Sequence, residues 1–352
     1  MKKTKTQKGI TLVALIITIV VLMILAAVAI SSITNDGIIS KAESSKDKYE
    51  QEQIKEQDML EYYEQLLAGT VKYVKDVQGQ VLSTTENTNV YDSYGNKIVL
   101  LAGFKITTDA DTVEEGIVIE DATVDSEGNA TATSGSQFVW IPVGNVKSSK
   151  GTKTITLGRY VFADGTPSAY SGSCTEDTVN GHDSKYKNVI ARDIEAFIAS
   201  VNTKGGYYLG RYEARTNNTT ERAAKTDELT PMTTVDTNAV YNYVTQAQAL
   251  ERSQAMYGET GTFSSDLINS FAWDTAIVFL QEFDDRTGED LTPYSRQKSL
   301  NTSLSTTGTT TDVICNIYDM ASNCYEWSTE TYSDRPSLRL SWWLLLQQRR
   351  LH

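Results

Sequence analysis

Four lysines, Lys2, Lys3, Lys5 and Lys8, precede an uncharged block from Ile10 to Ile30, and no charged side chain follows until Asp36. About twenty mainly apolar residues at ~1.5 Å rise each are enough for a helix to cross ~30 Å of hydrocarbon. From Ile38 to Leu67 the pattern turns mixed. This stretch is rich in Glu, Gln, Lys, Ala and Leu, lacks Pro and has no Gly before Gly69, so it predicts a helix that stops there. Ala42, Tyr49, Leu60, Tyr63 and Leu67 give it a patchy stripe at helical spacing, expected to pack under a head domain. Counted from Ile10 to Leu67, one unbroken helix would be roughly 85 Å long. Asn35-Asp36-Gly37 is where it would bend, since Gly costs ~1 kcal/mol in a helix interior.

After Gly69 the period shortens. Lys97 to Leu100, Gly116 to Ile119 and Phe138 to Val143 read as strands, and Lys147 to Lys153 as a polar loop. A helix is predicted from about Ala191 to Val201, with Ile194, Phe197, Ile198 and Val201 on one face. Lys204-Gly205-Gly206 then leads into a strand, Tyr207 to Ala214. A second amphipathic helix, Ala272 to Phe283, places Trp273, Ile277, Leu280 and Phe283 on one side. Leu300 to Asp312 is Ser/Thr-rich with no apolar period. The expected class is α+β: a long N-terminal transmembrane and stalk helix plus a head with irregular loops.

Composition narrows the partners. The chain has 352 residues and a formal net charge of -13, which argues against nucleic acid and anionic lipid headgroups. Its three cysteines, Cys174, Cys315 and Cys324, are no disulfide scaffold; they leave either one pair, most simply Cys315 with Cys324, or reduced thiols. With His182 and His352 the two histidines, a His-rich zinc site is nearly excluded. No phosphate-binding loop, nucleophile elbow, HExxH or CxxC motif occurs.

The N-terminus has three readings: a plain signal anchor, a secretory signal peptide cut after Ala27-Val28-Ala29, and a resemblance. A basic leader ending in Gly9 and followed by ITLVALIITIVVLMILAAVAI resembles the N-terminus of type IV prepilins and pseudopilins. In that family a prepilin peptidase cuts after the Gly, here Gly9, and methylates the new first residue, here Ile10. The resemblance implies a membrane location with the remainder outside, packing with other pilin-like subunits, and incorporation in a surface pilus. The family's usual Glu at the fifth mature position is Ala14 here, which argues for a minor subunit, one at the tip, or one that stays in the membrane.

A second resemblance covers most of Gly103 to Glu330. The run Ile317 to Ser328, IYDMASNCYEWS, with FVWIP from Phe138 and GYYLGRYE from Gly206, is similar to the formylglycine-generating-enzyme family, whose core is a C-type-lectin variant. By residue type alone, Asp319 and Glu326 supply carboxylates that suit a hard cation such as Ca²⁺; alternatively they tie the loop down by hydrogen bonds. The resemblance implies a Ca²⁺ held by the side chains of Asp319 and Glu326 and the carbonyls of Ser322 and Cys324. It places Trp327 in the core. The family's enzymes use a copper-binding cysteine pair beyond this motif. After Tyr332 this chain has no Cys, so neither copper nor catalysis is expected.

The expected layout is a leader at 1–9, transmembrane and stalk helix at 10–68, connecting strands at 69–100, a lectin-fold head at 101–332, and an aberrant tail at 333–352. The tail, nearly all Leu and Trp from Leu338 to Leu346, reads as a frame-shifted C-terminus or as an amphipathic closing strand. The expected function is adhesion or binding of a surface glycan or protein by a non-catalytic head. The alternatives are an exported oxidoreductase of the resembled family and a pseudopilin of a secretion or DNA-uptake machine.

Overall fold

The computed structural model describes residues 38–107, 109–163, 166–170, 190–215, 233–234, 240–241, 244–258, 261–284, 306–320, 322–323 and 327–330. Chain contacts divide the protein into two units, Met1–Gly69 and Thr70–His352.

The expected class, a transmembrane and stalk helix carrying a C-type-lectin-like head, is not the one found. The described part of the first unit is one polar helix, α1 (Ile38–Ala68, 31 residues). Among the described residues no helix is long and apolar enough to cross a membrane, and 10–37 lies outside them. Among the described residues the second unit holds four more α-helices and a set of small antiparallel sheets. The physical reason is composition: Glu, Gln and Lys interrupt every apolar run in α1. Within this unit Tyr49, Leu60, Tyr63 and Leu67 are exposed. Local pairs support the helix instead, among them Lys55 with Glu52 at 2.8 Å and Gln65 with Glu61 at 2.9 Å. Gly69, at φ 66°, ends it in the left-handed region.

The second unit opens with a short helix, α2 (Val74–Val77), and a hairpin of β1 (Thr88–Tyr91) and β2 (Lys97–Leu100). The central sheet has the order β10-β5-β4-β3 and every pair in it is antiparallel. Its strands are β3 (Phe104–Ile106), β4 (Val118–Val124), β5 (Ala130–Pro142) and β10 (Gly206–Gly210). The register between β4 and β5 slips between Glu120 and Ala122. Buried Asp121 sits at this bulge and accepts from the backbone N–H groups of Gly135 (2.9 Å) and Ser136 (3.2 Å), which replaces the ladder bonds the bulge disrupts.

The Lys147–Lys153 segment is not a loop. It forms the facing ends of β6 (Gly144–Ser148) and β7 (Gly151–Ile155), where Gly151 takes φ 91° at the turn. A further hairpin pairs β8 (Tyr160–Ala163) with β9 (Thr166–Ala169).

Three helices cover the sheet. In α3 (Ile194–Lys204) Asp193 caps the N-terminus by accepting from Glu195 N at 2.9 Å, and Gly205 at φ 81° closes the C-terminus, which sets the helix three residues later than its apolar period suggests. α4 (Gln246–Tyr257) starts on a capping box between Thr245 and Gln248. α5 (Ser270–Phe283) starts where Asn269 accepts from Ala272 N at 2.9 Å. Its Trp273, Ile277 and Leu280 pack into the main core with Trp140, Ile119 and Ile141. Gly206 is required by that packing: a Cβ there would lie 2.4 Å from the Ile141 carbonyl oxygen and 2.5 Å from Trp140.

A two-residue turn, Cys315-Asn316, joins β11 (Val313–Ile314) and β12 (Ile317–Tyr318), with φ 47° and 62° at its two positions. Positive φ at both positions is the twist a tight hairpin needs. A second apolar cluster gathers Tyr241, Val244, Leu250, Leu267 and Trp327. Trp327 is a core residue as expected, and its indole N–H donates to the Val244 carbonyl at 2.9 Å.

Candidate functional site

Most of the buried carboxylates in the second unit are engaged by donors fixed in the fold. Asp92 accepts from the N–H groups of Tyr94, Asn96 and Val113 at 2.8–3.0 Å and from the Asn96 amide at 2.7 Å; burial still pushes its carboxyl above the usual range. Asp121 adds the Ser134 hydroxyl and the Tyr257 hydroxyl (2.9 Å) to its two backbone donors. Asp274 accepts from Arg159 Nε at 3.3 Å and Tyr160 N–H at 2.7 Å, while Arg159 also reaches Glu330 at 2.7 Å and lies 4.8 Å from the Tyr170 ring centre. These groups tie separate segments together.

Asp319 is different. Its backbone takes φ 66° and its side chain is buried. Oδ1 accepts from the Thr310 hydroxyl and from the Ser322 hydroxyl at 3.2 Å, whereas Oδ2 is enclosed and has no hydrogen-bond partner among the described residues. Burial pushes the carboxyl up to about 6, with the neighbouring Asp312 adding to the rise and the Thr310, Ser322 and Gly308 donors opposing it. The Ser322 hydroxyl also donates to Asp312 Oδ2 at 2.9 Å, and Asp319 N–H donates to the Asp312 carbonyl at 2.8 Å.

The structure therefore brings Asp319 and Ser322 together and adds Asp312, which sequence reasoning missed. An Asp seven positions ahead of another, across a two-residue hairpin, was the available signal. Ser322 needs no left-handed backbone; the residues that take it are Asp319 and Asn323 (φ 62°) on either side. Cys324, Glu326, Gly9 and Ile10 lie outside the described residues.

Among the described residues no group of three acidic, His or Cys side chains is arranged to hold a metal. The donor set at Asp319 still fits a hard cation in kind. It is all oxygen, carries two carboxylates, and includes one buried oxygen without a hydrogen-bond partner among the described residues.

A cleft of about 700 Å³ in the second unit has room for a second molecule; it is lined by residues of the central sheet, by α3, and by the segment from Gly261 to Asn269. Alternation puts Phe138 and Trp140 of β5 on the same face, opposite Gly210 and Tyr208 of β10 in the register. Phe104 packs edge-on to Phe138, Tyr257 and Phe263 with ring centres 6.1, 5.7 and 5.5 Å apart, and Phe197 of α3 lies 5.6 Å from Tyr207.

The phenol groups on this wall are spent on the protein. Tyr207 donates to the Ala272 carbonyl at 2.5 Å, Tyr208 to the Val99 carbonyl at 3.0 Å and Tyr257 to Asp121 at 2.9 Å; burial pushes all three phenols up. Nothing in the local sequence pattern marks this cleft, because its wall is assembled from widely separated segments.

No protein-family model, curated protein or solved structure matches the chain.

Proposed function

We propose that the chain is a surface protein whose second unit binds a ligand without turning it over. The observation that carries this reading is the ring-lined cleft. Its volume falls in the ~300–1,000 Å³ range of small-molecule sites, its wall is mainly apolar, and the buried carboxylates near it are held by fixed donors. General acid–base chemistry needs a group within reach of substrate and matched to the working pH. Asp121, the carboxylate beside Tyr257, meets four donors of the protein itself.

The N-terminal sequence supports export. A Lys-rich leader ending at Gly9, with the apolar block starting at Ile10, suits cleavage by a prepilin peptidase, retention at the outer face of the cytoplasmic membrane, and association with pilin-like subunits. The oxygen cluster of Asp312 and Asp319 would hold a calcium ion as a structural tie, neutralising two buried carboxylates.

The test is the intact mass and N-terminal sequence of the full chain recovered from membrane and surface fractions, together with adherence of cells that carry or lack it. A start at methylated Ile10 and adherence that depends on the chain are expected. A chain retaining Met1 or starting at Ile30, with adherence unchanged by its loss, would overturn the reading.

A further inference from the structure

The geometry points to a hydrocarbon chain as the group the cleft binds: an amphiphile laid along the sheet face, with its polar head left in water at the rim. This rests on the ligand-binding reading of the second unit and narrows the ligand class.

The argument turns on what the wall offers. A sugar is recognised by hydrogen-bonding groups the site keeps available, and a site whose polar groups are already paired gains nothing from hydroxyls it must desolvate. Here Tyr207, Tyr208 and Tyr257 are committed to protein acceptors, the Asn87 amide donates to the Thr262 carbonyl at 2.8 Å, and the Ser253 hydroxyl donates to the Ala249 carbonyl at 2.7 Å. Arg192 likewise spends its guanidinium on the carbonyls of Ser265 and Gly258, each at 3.1 Å.

What the wall offers a ligand is mainly carbon surface; the Trp140 indole N–H is enclosed and has no hydrogen-bond partner among the described residues. Phe104, Phe138, Trp140, Phe197 and Phe263 all line the cleft. Across from β5, Gly206 and Gly210 flank Tyr208 on that face of β10; Trp140 closes over Gly206, and Gly210 adds no side chain opposite Phe138.

The rim is charged and exposed. Asp193 caps one end of α3 and Lys204 ends the other, and both line the cleft. A headgroup at either end stays hydrated while the chain lies between them.

A photoactivatable alkyl-diazirine analogue of dodecanoate, added to native membranes carrying the full chain, tests this. Adducts are mapped by mass spectrometry with and without excess dodecanol, and a diazirine-bearing hexose serves as the second probe. The apolar block from Ile10 takes up the alkyl probe non-saturably and is the internal reference. The expected result is alkyl adducts on the 192–210 and 256–269 segments that dodecanol suppresses at least tenfold, with none from the hexose.

Ser200→Trp, at an exposed α3 position lining the cleft, should abolish these adducts and leave the reference labelling unchanged. Ser200→Ala should keep them. Absence of dodecanol-sensitive adducts in the cleft, or hexose adducts in place of alkyl ones, would overturn the proposal. That failure is separable from failure of the surface reading, which the Ile10 start and the adherence comparison report independently.

Discussion

Replacing Asp319 by Asn should make the protein's stability less dependent on pH, in a direction the structure fixes. The folded state holds the Asp319 carboxyl up at about 6, from 3.8 for an unburied Asp, chiefly because it is buried. A raised pKa means that the folded chain binds the proton more tightly than the unfolded chain does. Asp319 is therefore cost-free below pH ~4, and wild-type stability drops as pH rises from ~4 through ~6. Two pKa units correspond to about 3 kcal/mol, reached above pH ~6.5.

Asparagine keeps an oxygen for the Thr310 and Ser322 hydroxyls, tolerates the left-handed backbone at φ 66°, and does not titrate. The assay is urea unfolding of wild type and Asp319→Asn, both in chelator, at half-unit steps from pH 4 to 8. Groups away from this cluster titrate alike in the two proteins, so the difference reports position 319 together with its coupling to Asp312. The variant should be equal or slightly weaker at pH 4 and should gain about 1.4 kcal/mol per unit up to pH ~6, then level off. A difference that stays flat within ~0.5 kcal/mol across the range would refute the buried-carboxyl argument. With calcium in place of chelator, wild type should recover much of the gap, because a cation at Oδ2 stabilises the charged form.

Two further substitutions test the packing. Gly206→Ala places a methyl 2.4 Å from the Ile141 carbonyl oxygen and should lower stability by about 1–3 kcal/mol, read as a shift in the urea midpoint with a change in the near-ultraviolet signal of Trp140. An unshifted midpoint would mean that β5 and β10 are not held at this spacing. Asp274→Ala leaves the buried Arg159 side chain and the Tyr160 N–H without their shared acceptor and should cost about 3–5 kcal/mol, measured by thermal or urea unfolding; a loss under ~1 kcal/mol would show that the ion pair is not a buried tie.

Elements with strong apolar period were legible in the chain: β2 matches the predicted Lys97–Leu100 strand and α5 the predicted Ala272–Phe283 helix within two residues. Misses follow from weak apolar signal. The first half of β5, Ala130 to Gly135, is a run of Ala, Thr, Ser and Gly that only cross-strand pairing with β4 makes a strand. α4 buries Gln246, Arg252 and Ser253 along with Leu250, so its buried face does not read as apolar, although Thr245 with Gln248 three positions on was a visible start signal. Polar α1 matches the helix expected from Ile38 to Leu67, and the expected continuation through 10–37 lies outside the described residues.

At the candidate sites, carboxylate chemistry at Asp319 was visible in the motif. Its burial, its partner Asp312 and the orphaned oxygen depend on how the 306–323 segment folds back on itself. The cleft depends on strand register and could not be read locally.

The segment 327–330 is bound from several sides: Trp327 to the Val244 carbonyl, Gln246 to the Ser328 carbonyl at 2.6 Å, Thr329 N–H to the Ile268 carbonyl at 3.0 Å, and Glu330 to Arg159, 171 positions earlier. Arg159 leaves the ribosome long before the carboxylate that neutralises it, at a synthesis rate of ~5–20 residues per second. Until then Arg159 has only Asp274 of its two carboxylates, and the apolar seam around Val244 and Leu267 stays open. A nascent chain stalled before residue 327 is thus a client for chaperones and proteases, and completion of synthesis acts as the latch that closes this part of the fold.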